Sequence, residues 1–354
     1  MVSIVEQLNI LGRFSNGRLI YRVPKNAPTF GYIAFGIVDR GTNVLQVRPT
    51  TICPQNCIFC SVDAGTRSTH RWAEYIVEPE AIVEGTKAAI AEKESNVEAL
   101  LDTVGDVLTY PRLVDLVKSL RETGGVKSIA LETHGLLLSK QLVDRLAEAG
   151  LSRINLSLET LNAEKARYLY GTSAYRLDRV VEVAEYVARE TPIDLHVSPV
   201  WLPGINDKDI VDVINWALRI GAGKKWPPVS IQKFVKHKHG RGYGLREVSW
   251  GAFWHFIEDL QRKLGTRLKW NMSEWGMHYT KRVRNFLREG DIVEVNVISR
   301  GWLRGEYLGS YQRRSLVALF SDQGWLRIGQ KYLAKVLSNK DGLNLAKVVK
   351  PCRF

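Results

Sequence analysis

Three of the chain's four cysteines lie in the run CPQNCIFC (residues 53–60), directly after an apolar, strand-like stretch. Thiolates are soft ligands that suit an iron–sulfur cluster or zinc, and the spacing is too tight for disulfides among them. A [4Fe–4S] cluster held by only Cys53, Cys57 and Cys60 would keep one iron open for a substrate or cosubstrate. The alternative is a zinc site closed by a fourth ligand such as His70 or Cys352. Either way, the loop predicts metal chemistry.

The chain up to about Lys269 alternates strand-like runs with helical ones, such as residues 111–120 and 140–148. This βα rhythm is typical of a parallel sheet or barrel. The helical stripe in residues 250–264 predicts core packing against that scaffold. An α/β fold is therefore expected for this part of the chain.

The CxxxCxxC spacing with an aromatic residue, Phe59, before the last cysteine resembles the signature of the radical S-adenosylmethionine (radical SAM) family. The resemblance extends over residues 45–245. It includes an expected strand over residues 96–108 that carries Val104-Gly105-Asp106 at its end, where the family usually has Gly-Gly-Glu. The later expected strands lie in IALETHG (129–135), RINLSLET (153–160), LHVSPVWLPGIN (195–206) and VSIQKFV (229–235).

The resemblance implies a partial (βα)6 barrel whose reduced cluster cleaves SAM to methionine and a 5′-deoxyadenosyl radical, which abstracts a hydrogen from the substrate. It also implies roles for individual residues. Cys53, Cys57 and Cys60 would ligate the [4Fe–4S] cluster. The SAM contacts would be Phe59 at the adenine, Gly105 and Asp106 at the methionine amino group, Ser157 and Glu159 at the ribose, and Arg167 at the carboxylate.

Glycines break the chain from Gly290 into short alternating strands, in residues 291–299, 305–308, 316–320, 331–336 and 345–349. Five such strands predict a small β-barrel. This segment resembles a TRAM domain, an OB-like barrel found in several RNA-modifying enzymes. Residues 281–354 contain 15 Lys and Arg against 6 Asp and Glu, so they hold +9 of the chain's net charge of +13.

A basic surface of this kind predicts a polyanionic partner, and the resemblance to a TRAM domain implies RNA. Basic side chains would neutralise phosphates, and exposed aromatic rings would stack on unpaired bases. The candidate RNA-binding residues are Lys236, Lys238 and Arg241 in the basic stretch 233–246, and Arg300, Arg304, Arg313, Arg314, Arg327 and Lys331 in the tail. The candidate stacking residues are Trp302, Tyr307, Tyr311 and Trp325. The alternative is a barrel that only packs on the core or mediates dimerisation.

The remaining features concern location and relatives. No apolar run approaches the roughly 18 residues of a membrane helix, and no signal-peptide pattern begins the chain, so a cytoplasmic protein is expected. A second cluster of the methylthiotransferase kind has no cysteines to hold it. Cys352 is the one cysteine outside the loop, and a terminal cysteine is most often incidental.

The sequence thus predicts three regions: an N-terminal β extension (1–44), the radical SAM barrel (45–280) and a TRAM-like barrel (281–354). The expected function is modification of tRNA or rRNA, with an electron donor such as a ferredoxin or flavodoxin. Two alternatives stay open. One is a radical SAM enzyme acting on a protein, a peptide or a small molecule, and the other is a non-enzymatic metal-binding protein that binds RNA.

Overall fold

The computed structural model describes residues 7–322 and 324–352. Within these residues the strands are β1 (Asn9–Arg13), β2 (Leu19–Val23), β3 (Gly36–Asp39), β4 (Val44–Arg48), β5 (Ala73–Val77), β6 (Val97–Leu101), β7 (Val126–Thr133), β8 (Arg153–Leu156), β9 (Asp194–Val197), β10 (Val200–Trp201), β11 (Gln232–Lys233), β12 (Ile292–Arg300), β13 (Tyr307–Tyr311), β14 (Ser315–Phe320), β15 (Lys331–Ser338) and β16 (Leu345–Pro351).

The helices follow the expected rhythm between these strands. They are α1 (Pro79–Lys93), α2 (Leu113–Glu122), α3 (Lys140–Glu148), α4 (Ala163–Leu169), α5 (Leu177–Glu190), α6 (Asp207–Ile220) and α7 (Trp250–Leu264). Short 3-10 turns occupy Val107–Thr109, Met272–Trp275 and Lys340–Gly342.

The chain divides into two compact units that alternate along the sequence. The first unit comprises the described residues up to Ile52, residues 69–127 and the described residues from Tyr279 on. The second unit comprises residues 53–68, which contain the three-cysteine loop, and residues 128–278.

In the first unit, β4 pairs in parallel with β6 and antiparallel with β3. A second small sheet has the order β1-β2-β5. Strand β4 is almost entirely buried, as expected for a strand covered on both faces. Strand β4 ends at Arg48, and four residues later, after Ile52, the chain enters the cysteine loop of the second unit.

Residues from β12 onward form a closed barrel with the strand order β12-β13-β14-β16-β15. Strands β14 and β16 pair in parallel, and the other neighbours pair antiparallel. Alternate side chains of these strands, including Val295, Val297 and Leu319, fill the interior. All five predicted strands are confirmed, so the small C-terminal β-barrel is confirmed as well.

In the second unit, β7, β8 and β9 form a parallel array, with Ala130 opposite Arg153 and Arg153 opposite Asp194. Helix α5 carries its buried residues at helical spacing, which places an apolar stripe on the unit's core. Side-chain oxygens of Ser139, Asn162 and Ser249 accept backbone N–H bonds at the starts of α3, α4 and α7. The α/β fold class is confirmed.

Candidate active site

The cysteine loop of the second unit is held by backbone hydrogen bonds to the end of α4. The N–H of Asn56 donates to the carbonyl of Tyr170, and the N–H of Ile58 donates to that of Leu169, both at 2.9 Å. Cys57 is buried, whereas Cys53 and Cys60 are partly exposed. The thiols are thus presented on a loop whose backbone is fixed by a neighbouring helix.

Gly171 allows this close approach. Its φ of +61° is in the left-handed region, and a Cβ at this position would lie 2.2 Å from the carbonyl oxygen of Asn56. Any side chain would therefore push the loop away from α4.

The three thiols influence one another. Burial raises the pKa of the Cys57 thiol well above its usual value, and repulsion from Cys53 and Cys60 raises it further. Glu159 acts in the same direction and Arg241 in the opposite one. Cys53 and Cys60 thus lie within electrostatic reach of Cys57, and ligation by cationic iron would favour the thiolate form of all three.

The residues of the loop fit a [4Fe–4S] cluster. Cysteine sulfurs are the donors that iron–sulfur clusters take, and the backbone N–H of Ala64 donates to Cys60 Sγ at 3.2 Å. Gln55, between the first two cysteines, is fully buried, and neither polar atom of its side chain has a hydrogen-bond partner among the described residues. A buried amide is costly unless another group satisfies it. Among the described residues, no His, Cys, Asp and Glu side chains are grouped for a single metal ion.

Beyond the end of β8, Ser157 and Glu159 form a buried polar pair. The Ser157 hydroxyl donates to Glu159 Oε1 at 2.6 Å, and the Val200 N–H donates to the same oxygen at 3.3 Å. Glu159 is completely buried, yet its Oε2 has no hydrogen-bond partner among the described residues. A buried carboxylate with one unsatisfied oxygen is prepared to accept a hydrogen bond from a bound molecule.

Aromatic rings border this carboxylate. The rings of Phe59 and His134 lie 6.1 Å apart, and those of His134 and Tyr170 lie 5.0 Å apart. The backbone N–H of Glu159 donates to the Tyr170 hydroxyl at 3.2 Å, and His134 Nδ1 is 3.9 Å from Glu159 Oε2. The second unit therefore places Phe59, Ser157 and Glu159 around the His134 and Tyr170 rings, and their expected contacts with SAM stay predictions.

Sequence reasoning missed three residues of this site: Gln55, Tyr170 and Ser198, whose buried hydroxyl also has no hydrogen-bond partner among the described residues. Gln55 could have been identified from the sequence, because it lies between the first two cysteines of the predicted cluster loop. Tyr170 and Ser198 belong to no recognisable sequence motif, and only the tertiary structure places them at the site.

Gly105 and Asp106 belong to the first unit, where they form a tight turn after β6. A Cβ on Gly105 would lie 2.2 Å from the Ile52 carbonyl oxygen, so only glycine fits. The Asp106 N–H donates to the same carbonyl at 2.9 Å, and its carboxylate accepts from the Leu108 N–H at 3.0 Å. The expected long strand 96–108 was wrong in extent: β6 ends at Leu101, and the motif lies in the following turn.

Arg167 lies on α4 and is exposed. It lines an open groove of the second unit together with Arg176, Arg219 and Trp216. Its expected contact with the SAM carboxylate stays a prediction.

The predicted RNA-binding residues of the barrel differ in how available they are. Arg313 and Arg314 are exposed in the turn between β13 and β14, where Arg313 has a φ of +56°. Arg300 lies over the rings of Trp72, at 4.5 Å, and Trp325, at 5.9 Å. Two other candidates have side chains engaged by neighbouring groups: the Arg304 Nε donates to the Thr69 carbonyl, and Lys331 pairs with Glu294. Arg327 is exposed, and its backbone N–H donates to the Tyr332 hydroxyl.

The expectation that four aromatic rings face solvent was wrong for two of them. Trp302 and Tyr307 are buried at 6% and 4% exposure, because they pack within the first unit. Trp325 is 76% exposed and Tyr311 is partly exposed. Only the second pair has a ring face available to a base.

The loop 236–246 follows β11 in the second unit. Lys236 and Lys238 are exposed, as an RNA-binding role requires. Arg241 is not: its guanidinium donates to the Ala64 carbonyl and lies 3.4 Å from Asp63 Oδ1. The side chain is thus engaged by the cysteine loop, and the expected contact of Arg241 with a phosphate stays a prediction.

Cys352 lies at the end of β16, and its N–H donates to the Lys331 carbonyl at 3.0 Å. Desolvation and the neighbouring Glu294 raise the pKa of its thiol. A thiol with a raised pKa is a weak nucleophile at neutral pH. This environment is consistent with the incidental role expected for it.

The three-cysteine loop, the parallel strands and the buried site are those of an iron–sulfur enzyme that uses SAM. The profile of the radical SAM superfamily matches residues 47–217, and the chain belongs to that superfamily. Its cofactors are accordingly a [4Fe–4S] cluster and SAM, and its fold contains the partial (βα)6 barrel.

Individual relatives cover different shares of the chain. An uncharacterized protein of Methanocaldococcus jannaschii is 32% identical over 361 residues, covering 96% of this chain and 83% of the relative. The GTP 3′,8-cyclase of Peptoclostridium acidaminophilum is 30% identical over 177 residues, covering 49% of this chain and 51% of the cyclase. The chain thus spans about half the length of the GTP 3′,8-cyclase.

Among solved structures, the FeFe-hydrogenase maturase HydG of Carboxydothermus hydrogenoformans is similar, with a TM-score of 0.48 and 15% identity over 73% of this chain and 56% of HydG. Within the described residues, every helix is too short or too polar to span a membrane.

Proposed function

We propose that Cys53, Cys57 and Cys60 hold the [4Fe–4S] cluster and that the adjoining pocket of the second unit binds SAM. The observation that carries this proposal is the gathering of three thiols beside a completely buried carboxylate with one unsatisfied oxygen. When bound and reduced by one electron, the cluster supplies the reductive cleavage of SAM that starts radical chemistry. The electron would come from a donor such as a ferredoxin or flavodoxin.

The protein's own residues would orient SAM and keep water away. Glu159 Oε2 would accept a hydrogen bond from a ribose hydroxyl, while Ser157 holds the carboxylate in place. Phe59 is 7% exposed and would present its ring to the adenine. The expected contacts of Gly105 and Asp106 with the methionine amino group stay predictions.

The test of the cluster assignment compares Cys57→Ser with Cys352→Ser, since each removes one thiol. After anaerobic reconstitution, we expect Cys57→Ser to lose iron, acid-labile sulfide and release of 5′-deoxyadenosine. Cys352→Ser should keep the iron and sulfide content of the wild type. Stoichiometric zinc without sulfide in the wild type would instead support the non-enzymatic alternative.

Glu159→Gln tests the SAM pocket separately. A hydrogen bond to a charged acceptor contributes about 1.5–3 kcal/mol, so we expect SAM to bind roughly 10-fold to 100-fold more weakly at unchanged iron content. Equilibrium dialysis with labelled SAM measures this directly. Unchanged SAM affinity would show that the carboxylate lies elsewhere relative to the cofactor.

For the substrate, we propose RNA, either tRNA or rRNA, bound by a TRAM-like barrel. The support is the excess of basic residues in the tail, the exposed Arg313 and Arg314, and the exposed indole of Trp325 beside Arg300. Lys236 and Lys238 stay candidate phosphate contacts of the second unit. Phosphate contacts release counterions, so the affinity should fall steeply with salt concentration.

The double variant Arg313→Gln, Arg314→Gln tests this assignment, with Arg262→Gln, an exposed residue of α7, as the control. We expect total RNA to bind about tenfold more weakly to the double variant, with a shallower salt dependence, and normally to the control. Equal affinities for all three proteins would remove the barrel turn from the RNA-binding surface.

A free nucleotide is the second candidate substrate, favoured by the similarity to the GTP 3′,8-cyclases. Release of 5′-deoxyadenosine is then measured with RNA, with nucleoside triphosphates and with neither. Stimulation by RNA alone would support the first candidate, and stimulation by one nucleotide the second. No stimulation by either would point to a protein or peptide substrate.

A further inference from the structure

Arg241 makes three contacts with the segment that follows Cys60. Its backbone N–H donates to the Cys60 carbonyl at 2.7 Å, its guanidinium donates to the Ala64 carbonyl, and its Nε lies 3.4 Å from Asp63 Oδ1. Asp63 is 1% exposed and has a φ of +48°, a conformation that needs support from its surroundings. Arg241 provides that support from the loop 236–246.

The residue that receives the guanidinium also touches a cysteine. The Ala64 carbonyl accepts from Arg241, and the Ala64 N–H donates to Cys60 Sγ at 3.2 Å. Hydrogen bonds to cysteine sulfurs and nearby charge are two of the factors that set the reduction potential of an iron–sulfur cluster. Arg241 can influence the reduction potential in both ways, through the Ala64 N–H···S bond and through its own charge.

Gly240 makes this arrangement possible. A Cβ on Gly240 would lie 2.8 Å from the carbonyl oxygens of both Cys60 and Ser61. The two backbones therefore touch only because this residue has no side chain. A methyl group here would push the loop 236–246 away from the cysteine loop without removing any charge.

We propose that Arg241 is a positioning residue that holds the Ala64 N–H on Cys60 Sγ and thereby raises the reduction potential of the bound cluster. The proposal rests on ligation by Cys60, as proposed above. A cation and an N–H···S bond both stabilise the state with the additional negative charge. The redox step is the gain of one electron from an external reductant, with no ligand or proton exchanged.

The experiment measures the midpoint potential of the reconstituted full-length protein by dye-mediated titration with dithionite, without SAM. Arg241→Gln should lower the reduced-to-oxidised ratio at a given poise about tenfold, which for one electron corresponds to 59 mV. Arg241→Lys should restore part of this shift, because it keeps the charge but not the planar fork. Arg246→Gln, an exposed arginine of the same loop, is the matched control and should leave the potential unchanged.

Gly240→Ala displaces Arg241 without removing its charge, so it separates the effect of position from that of charge. We expect this variant to lower the reduction potential, as Arg241→Gln does. Hydrogen exchange of the metal-free proteins gives an independent readout: the amide of Ala64 should exchange faster in Arg241→Gln and Gly240→Ala than in the wild type. Normal cluster content with unchanged potential and exchange in both variants would refute the inference. Absence of iron and sulfide from the wild type would instead refute the proposed function.

Discussion

Glu306 gives the first unit a pH dependence that can be calculated. Its carboxylate is buried and accepts hydrogen bonds from the Tyr32 hydroxyl and, at 3.1 Å, from the Trp302 N–H. Burial nevertheless dominates and raises the pKa of Glu306 from 4.5 to about 7. The native protein therefore holds a proton that the unfolded chain releases between these two values.

The sign follows from proton linkage. Between pH 4.5 and 7 the native state binds more protons at Glu306 than the unfolded state, so the free energy of unfolding falls as the pH rises. Each pH unit in this window is worth about 1.4 kcal/mol, which amounts to roughly 3 kcal/mol in total. The contribution is complete below pH 4.5 and levels off above pH 7.

Urea unfolding of the metal-free protein, followed by tryptophan fluorescence, measures this effect. We expect the stability of the wild type relative to Glu306→Gln to fall by about 3 kcal/mol between pH 4.5 and pH 8, because the amide does not titrate. The same comparison with Glu84→Gln, an exposed glutamate, should show no such trend. A difference between wild type and Glu306→Gln that stays constant over this range would refute the reasoning.

Two further predictions concern buried contacts. Arg71 is fully buried and pairs with Glu74 at 3.1 Å, so Arg71→Leu should destabilise the protein by about 3–5 kcal/mol, whereas Arg22→Leu at an exposed pair should cost less than about 1 kcal/mol. Urea unfolding measures both, and equal losses would contradict this ranking. Gly171→Ala should displace the Asn56 carbonyl and reduce the iron-to-protein ratio after reconstitution. Full iron loading would show that the loop tolerates the displacement.

Much of the fold was predictable because apolar and polar residues alternate even along short strands. The five strands of the C-terminal barrel were predicted to within a few residues, since interior and exterior side chains alternate along each of them. The helix at residues 250–264 was predicted at its observed boundaries. The extent of β6 was not, because the turn at Gly105 depends on contacts with the Ile52 carbonyl, which is distant in sequence.

Candidate site residues could be proposed from the sequence where they belong to a motif with a recognisable spacing. They could not be proposed where their role depends on the direction in which the fold points the side chain. The cysteines and the Ser157–Glu159 pair follow strands that local pattern identifies. Arg241 looked like any other basic residue of its stretch, and only the fold turns it towards the cysteine loop. Trp302 similarly resembles a solvent-facing aromatic until the burial imposed by its neighbours is known.

The alternation of the two units along the chain has a consequence for synthesis. The polypeptide passes from one unit to the other after Ile52, Ser68, Lys127 and His278. The first unit therefore needs the barrel strands from Ile292 onward, which leave the ribosome late, before it can complete its core. Early segments such as β5, whose Tyr75 hydroxyl donates to the Arg300 carbonyl, must wait for these late contacts, so folding during translation is delayed and the unfinished chain exposes apolar strands. Chaperone dependence of the nascent chain is the expected result.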